Sequence, residues 1–148
     1  MTSYDKNLSP ILKKGGVAII PTDTIYGIVG LAQNIVTVNR IYSLKKRNPE
    51  KPCIILIGDI SELEKFNITL SEGQKDALQT YWPGPVSIIF ECKDPSLSYI
   101  HRGTETLAFR LPSLGMLKNL LIETGPLIAP SANPEGLPPA KNIMEANK

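Results

Sequence analysis

Four short stretches hold the side chains able to do chemistry. "IPTDTIYGIVGL", residues 20–31, sets Thr22, Asp23, Thr24 and Tyr26 directly after an apolar run. In an open α/β sheet ligands gather beyond the carboxyl ends of strands, where such hydroxyls would bind polar atoms. The same short side chains serve equally well to close a turn or cap the next segment. Between Arg40 and Lys51 five cations, Arg40, Lys45, Lys46, Arg47 and Lys51, face one anion, Glu50. An arginine fork beside a lysine point charge suits a polyphosphate, and a helix C-terminus attracts cations without any ligand. In "GPLIAPSANPEGLPP" Ser131 and Asn133 are embedded among Pro126, Pro130, Pro134, Pro138 and Pro139. That loop would hold ligand groups rigidly, or satisfy only its own backbone. In "TETLAFRLP" Arg110 interrupts an apolar strand and needs an anionic partner, from the protein or from a ligand.

Other chemistries lack their residues. His101 is the single histidine, and neither Cys53 nor Cys92 stands in CxxC spacing or beside a local base, so metal centres and cysteine nucleophiles have no support. Two reduced thiols are the reading. No GxxxxGK[ST] or GxGxxG phosphate loop occurs. A net charge of +2 does not mark a nucleic-acid binder by itself. The first residues, "MTSYDKNLSP", lack a basic region followed by an apolar one, and no apolar stretch would span a bilayer, which points to the cytoplasm and away from a membrane.

The elements that must carry these residues alternate along 148 residues, read as one domain over 1–148. "LSPILKKGG" predicts a helix with Ser9 as N-cap, Pro10 at the first position and Gly15 and Gly16 as its stop. "VAII" predicts a strand covered on both faces. "NIVTVNRIYSLKKRNP" carries Val38, Ile41, Tyr42 and, less regularly, Leu44 on a helical stripe that ends near Arg47, with Asn48 and Pro49 unwinding the turn. "PCIILI", "PVSIIFEC", "TLAFRL" and "PLIA" read as strands. Ser71 and Gln74 stand in capping-box spacing before another helix, and "SLGMLKNLLIETG" reads as a helix capped by Ser113 and stopped by Gly125. The alternation predicts an α/β fold.

The order PTDTIYG, LKKRNPEKP, YWPGP, TLAFRLP, APSAN resembles the YrdC-type threonylcarbamoyl-AMP synthases, from about Gly15 to the last residue. The resemblance implies a YrdC-like twisted mixed sheet flanked by helices, with a basic concave groove. It implies a nucleotidyltransferase that makes L-threonylcarbamoyladenylate and pyrophosphate from L-threonine, bicarbonate and ATP. That product feeds threonylcarbamoyladenosine modification of tRNA, completed by a partner transferase complex, with a weak RNA contact as a further expectation. ATP enters as substrate, and Mg2+ is expected mainly on its phosphates, with no metal ligand from protein side chains.

By the same resemblance Thr24, Arg110 and Ala129 would bind L-threonine. Lys45, Arg47, Lys51, Thr106, Ser131 and Asn133 would contact ATP, with Lys45 and Arg47 as the catalytic KxR pair that stabilises charge on the phosphates. The sequence departs from the family by Asn48 where a proline usually follows KxR. Family members also continue past the SAN loop with strands, a serine and an arginine, so the resemblance implies a chain shortened at its C-terminus that binds ATP without efficient turnover. A non-catalytic nucleotide- or RNA-binding relative is the alternative, and a carbamoyl-adenylate module like that of hydrogenase maturation proteins a third reading.

Overall fold

In the computed structural model, which describes residues 3–146, short apolar runs bounded by Gly, Pro or polar turns become strands. They are β1 (Ala18–Pro21), β2 (Tyr26–Leu31), β3 (Ile55–Leu56), β4 (Ile88–Glu91), β5 (Thr106–Arg110) and β6 (Leu127–Ile128). They form one mixed sheet in the order β1-β2-β6-β3-β5-β4, in which β3 and β5 are parallel and the other neighbours antiparallel. The expected helix-flanked mixed sheet is therefore present. The strand expected at "VAII" is corrected: β1 is an edge strand in which only Ile20 is fully buried. The chain turns straight back into β2, a strand that the alternation of elements does not disclose.

Helices α1 (Leu8–Lys13), α2 (Ile35–Lys45), α3 (Glu72–Tyr81), α4 (Ser98–His101), α5 (Gly115–Thr124) and α6 (Ile143–Ala146) surround the sheet, with 3-10 turns at Ile60–Phe66 and Pro95–Leu97. The strands send alternate side chains to opposite faces. Ile28, Ile55, Phe109 and Ile128 pack with Val38, Ile41 and Tyr42 of α2 and Leu78 of α3. Val29, Leu56, Leu127 and Ala129 pack on the other face with Leu12 of α1 and Leu117, Leu120 and Leu121 of α5. Both thiols are free and buried.

Local signals decide some helix ends and tertiary contacts the others. Ser71 and Gln74 form the expected capping box, and Gly125 ends α5 at φ 84°. Ser9 is not a cap: Asn7 precedes α1 without a side-chain bond, and Ser9 lies buried inside the helix, its Oγ unpartnered. Ser113 is not a cap either, because Leu114 holds that position. Helix α2 starts on Asn34, whose side chain accepts from Thr37 N at 3.1 Å, and stops at Lys45 rather than Arg47. Lys46 turns the chain in a left-handed conformation at φ 52°. Leu44 is exposed.

Helix α2 crosses β2 at Gly30, where an added Cβ would stand 2.5 Å from Thr37 Cγ2 and 3.0 Å from Ile41 Cδ1. Gly30→Ala is expected to destabilise the fold by about 1–3 kcal/mol through overpacking. Gly73→Ala, where the added methyl meets open space on α3, is expected to stabilise by up to about 1 kcal/mol. Urea unfolding of the two variants checks both signs.

Candidate functional site

One end of the sheet gathers the site. There β1 finishes, β2 and β3 begin and β6 runs out into the proline-rich loop, while Arg110 reaches in from the last position of β5. A cleft of about 300 Å³ opens at that end, walled by Thr22, Thr24, Gly27, Arg47, Cys53, Arg110, Ala129 and Ser131, among others. The two threonines divide the roles that the sequence left open. Thr22 builds the hairpin turn, its Oγ1 donating to Ile25 O at 2.5 Å and accepting from Thr24 N at 3.2 Å. Thr24 is exposed on the cleft wall, and its hydroxyl has only Thr22 Oγ1, at 3.3 Å, as a partner.

Arg110, at the end of β5, is 7% exposed. Its Nη2 donates to Asp23 Oδ1 at 2.9 Å, while Arg110 Nε and Asp23 Oδ2 have no partner. Asp23 is thus the anion that a buried arginine requires. The sequence names both residues but not their pairing. Tyr4 closes the outer side of the turn, its hydroxyl donating to Pro21 O at 2.6 Å. Burial, and then the charge of Asp23, push that hydroxyl up to about 12.

Lys45, on the last turn of α2, is 4% exposed. Its Nζ donates to Ser131 O at 2.5 Å and Asn133 O at 2.6 Å, and Glu135 N returns a bond to Lys45 O at 3.0 Å. Burial, followed by the charge of Arg47, lowers the ammonium below the ordinary lysine value. The left-handed turn at Lys46 sends Arg47 back along the chain. There Nε donates to Lys51 O at 3.2 Å and Nη2 to Pro52 O at 2.7 Å. The Lys51 carbonyl also accepts from Tyr42 Oη at 2.5 Å, and the Arg102 guanidinium lies 3.7 Å over the Tyr42 ring. Glu135 bridges the remaining cations: Oε1 accepts from Lys51 Nζ at 2.9 Å and Oε2 lies 3.5 Å from Arg47 Nη1. The bond from Lys51, then the charges of Lys51, Arg47 and Lys45, hold the Glu135 carboxyl below the usual range.

The expected site residues therefore fall into three groups. Thr24, Arg47, Arg110, Ala129 and Ser131 line the cleft. Lys45, Lys51 and Asn133 are not part of its lining. Asn133 spends its amide on the loop, donating to Pro134 O at 3.0 Å and Leu137 O at 2.7 Å. Thr106 opens β5, with its hydroxyl bonded to Thr104 Oγ1 at 3.1 Å. Carrying the parallel register three residues back from the Ile55–Phe109 pair sets Thr106 level with Pro52, on the same face as Arg110. Sequence reasoning missed Glu135 and, as a partner, Asp23.

No three His, Cys, Asp or Glu side chains converge on a metal site among the described residues. Asp23 and Glu135, the carboxylates paired with cleft-lining arginines, are each engaged by a cation. His101 is a structural residue, its Nδ1 accepting from Gly103 N at 3.1 Å. No helix among the described residues is long and apolar enough to cross a membrane.

The Sua5/YciO/YrdC family, described as telomere recombination, matches residues 10–148. Threonylcarbamoyl-AMP synthase of Bacillus subtilis (strain 168) is 38% identical over 130 residues, covering 86% of this chain and 38% of the relative. The crystal structure of P. abyssi Sua5 complexed with L-threonine superposes with a TM-score of 0.86 at 27% identity, over 94% of this chain and 41% of that one. T. kodakarensis HypF shares the fold, with a TM-score of 0.81 at 24% identity over 95% of this chain and 18% of that one. The chain spans well under half the length of each of these three proteins.

Removing the charge of Asp23 would leave Arg110 buried without an anion. Asp23→Asn is expected to cost about 3 kcal/mol or more, read as a lower urea midpoint with an unchanged m-value. Thr24→Ala, which removes an exposed hydroxyl, should stay within about 0.5 kcal/mol of the parent.

Proposed function

Because the chain belongs to the Sua5/YciO/YrdC family, we propose that it binds L-threonine and ATP in this cleft and, with bicarbonate, forms L-threonylcarbamoyladenylate and pyrophosphate. One observation carries the reading: a buried arginine, braced by Asp23 and with Nε unpartnered, faces a small polar cleft in a chain that superposes on a threonine-bound relative. A guanidinium fork is suited to the α-carboxylate of an amino acid. Thr24 Oγ1 across the cleft would bond the substrate hydroxyl, and the Ala129 backbone would border the same pocket.

The nucleotide would lie toward the basic side. Arg47 and Lys51 would meet its phosphates, Ser131 and Asn133 would border it from the loop, and Thr106 would extend the wall from β5. Lys45 keeps two of its three donors on loop carbonyls, yet no carboxylate contacts it, so its charge still acts on the phosphate side. In the reaction the threonine amine and bicarbonate combine to a carbamate with loss of water. A carbamate oxygen then attacks the α-phosphorus, and the bond to the β-phosphate oxygen breaks to release pyrophosphate. The chain would contribute positioning and fixed positive charge rather than a nucleophile. Mg2+ would enter mainly on the nucleotide phosphates. The adenylate would pass to a tRNA-modifying transferase complex in the cytoplasm, with a weak RNA contact at most.

L-Threonine is expected to bind at least tenfold more tightly than L-valine, because a site built to bond a hydroxyl rejects its near-isostere. Calorimetry with both amino acids, beside a non-hydrolysable ATP analogue, measures this, and equal affinities would contradict the pocket. Pyrophosphate release with threonine, bicarbonate and ATP then separates turnover from binding alone.

A further inference from the structure

We propose that Glu135 is a specificity-determining residue of the nucleotide subsite: its carboxylate occupies the place of a phosphate between Arg47 and Lys51 and yields only to an anion that carries more charge. The proposal rests on reading that side of the cleft as the phosphate site, and it follows from a donor count. Lys45 points two N–H groups at Ser131 O and Asn133 O. Arg47 spends Nε on Lys51 O and Nη2 on Pro52 O. The nitrogens of these three side chains that meet no carbonyl are Arg47 Nη1 and Lys51 Nζ, and the same carboxylate takes both, at 3.5 and 2.9 Å. Among Lys45, Arg47 and Lys51, the two side-chain nitrogens without a backbone carbonyl partner, Arg47 Nη1 and Lys51 Nζ, are thus both on Glu135.

The geometry makes this an exchangeable contact. The Lys51 side chain is 58% exposed and that of Glu135 29%, so water and salt reach the pair and its attraction is modest. Letting go of Glu135 leaves the Arg47 plane fixed by its two carbonyl acceptors, so the fork stays aimed at the incoming ligand. Glu135 also sits at the bend of its loop, with Pro134 before it and Gly136 after it at φ 84°, a backbone conformation that glycine adopts freely. Binding is then an exchange of anions on the same two cations. A single carboxylate-like charge gains nothing over the resident one, whereas a di- or triphosphate offers several oxygens and more charge. Pyrophosphate leaving after the reaction would let Glu135 return, which favours release of that product.

Glu135→Gln keeps the shape and removes the charge. Calorimetry at low salt compares ATP, inorganic pyrophosphate and adenosine on the parent chain, on Glu135→Gln and on Arg47→Ala. The expected result is about fivefold tighter ATP and pyrophosphate binding to Glu135→Gln, the scale of one exposed charge pair, with adenosine unchanged and the gain shrinking as salt rises. Weaker ATP binding to Glu135→Gln would overturn the proposal by making Glu135 a brace for the cations. Tighter adenosine binding would overturn it by tracing the effect to loop movement. ATP affinity that falls in Arg47→Ala but is unchanged in Glu135→Gln would reject the competitor and keep the phosphate site. ATP affinity unchanged in both variants would remove the phosphate reading itself, and the proposal with it.

Discussion

A buried ammonium ties the site together. Lys45 is almost fully enclosed, and an ammonium taken out of water is costly unless its hydrogens are satisfied. The carbonyls of Ser131 and Asn133 supply that satisfaction at 2.5 and 2.6 Å, so the end of α2 and the loop after β6 hold one another in place. This contact fixes the backbone on which Ala129, Ser131 and Glu135 stand. The lowered proton affinity of Lys45 is the mark of that burial. In this geometry it holds the loop after β6 to the end of α2.

Arg110 and Asp23 form a second anchor on the other side of the same cleft. Their pairing joins the β1–β2 turn to β5, two elements that are not neighbours in the sheet. Between the anchors lies a space whose walls come from β2, the residues before β3, β5 and the loop after β6. The site is therefore a property of the assembled sheet rather than of one motif. Each motif contributes one wall, which is why each taken alone looks like a turn, a helix end or a rigid loop.

The sequence discloses what depends on near neighbours. The capping box at Ser71 and Gln74 and the stop at Gly125 are read correctly because their partners lie within one turn of helix. The strand cores at Ile55–Leu56 and Leu127–Ile128 are legible as apolar runs, though hydrogen bonding trims each to two residues. Strand β2 is hidden behind the polar turn that precedes it, and Ser9 resembles a cap until the chain buries it. Asp23 and Arg110 are 87 positions apart, and Lys45 and Asn133 88, so their contacts are set by sheet order. The ordered motifs point to the candidate residues, and only the fold shows that Lys45 faces carbonyls and that Glu135 faces the cations.

The central claim is that Lys45 builds the amino-acid pocket through the loop rather than by touching the amino acid. The most direct test is L-threonine affinity of Lys45→Met, by calorimetry without nucleotide, with far-ultraviolet circular dichroism to verify folding. Methionine fills the buried space and removes both donors to the loop. A folded variant with at least tenfold weaker threonine binding is predicted, because Ala129 and Ser131 would lose their fixed position. A folded variant that binds threonine as tightly as the parent would contradict the account.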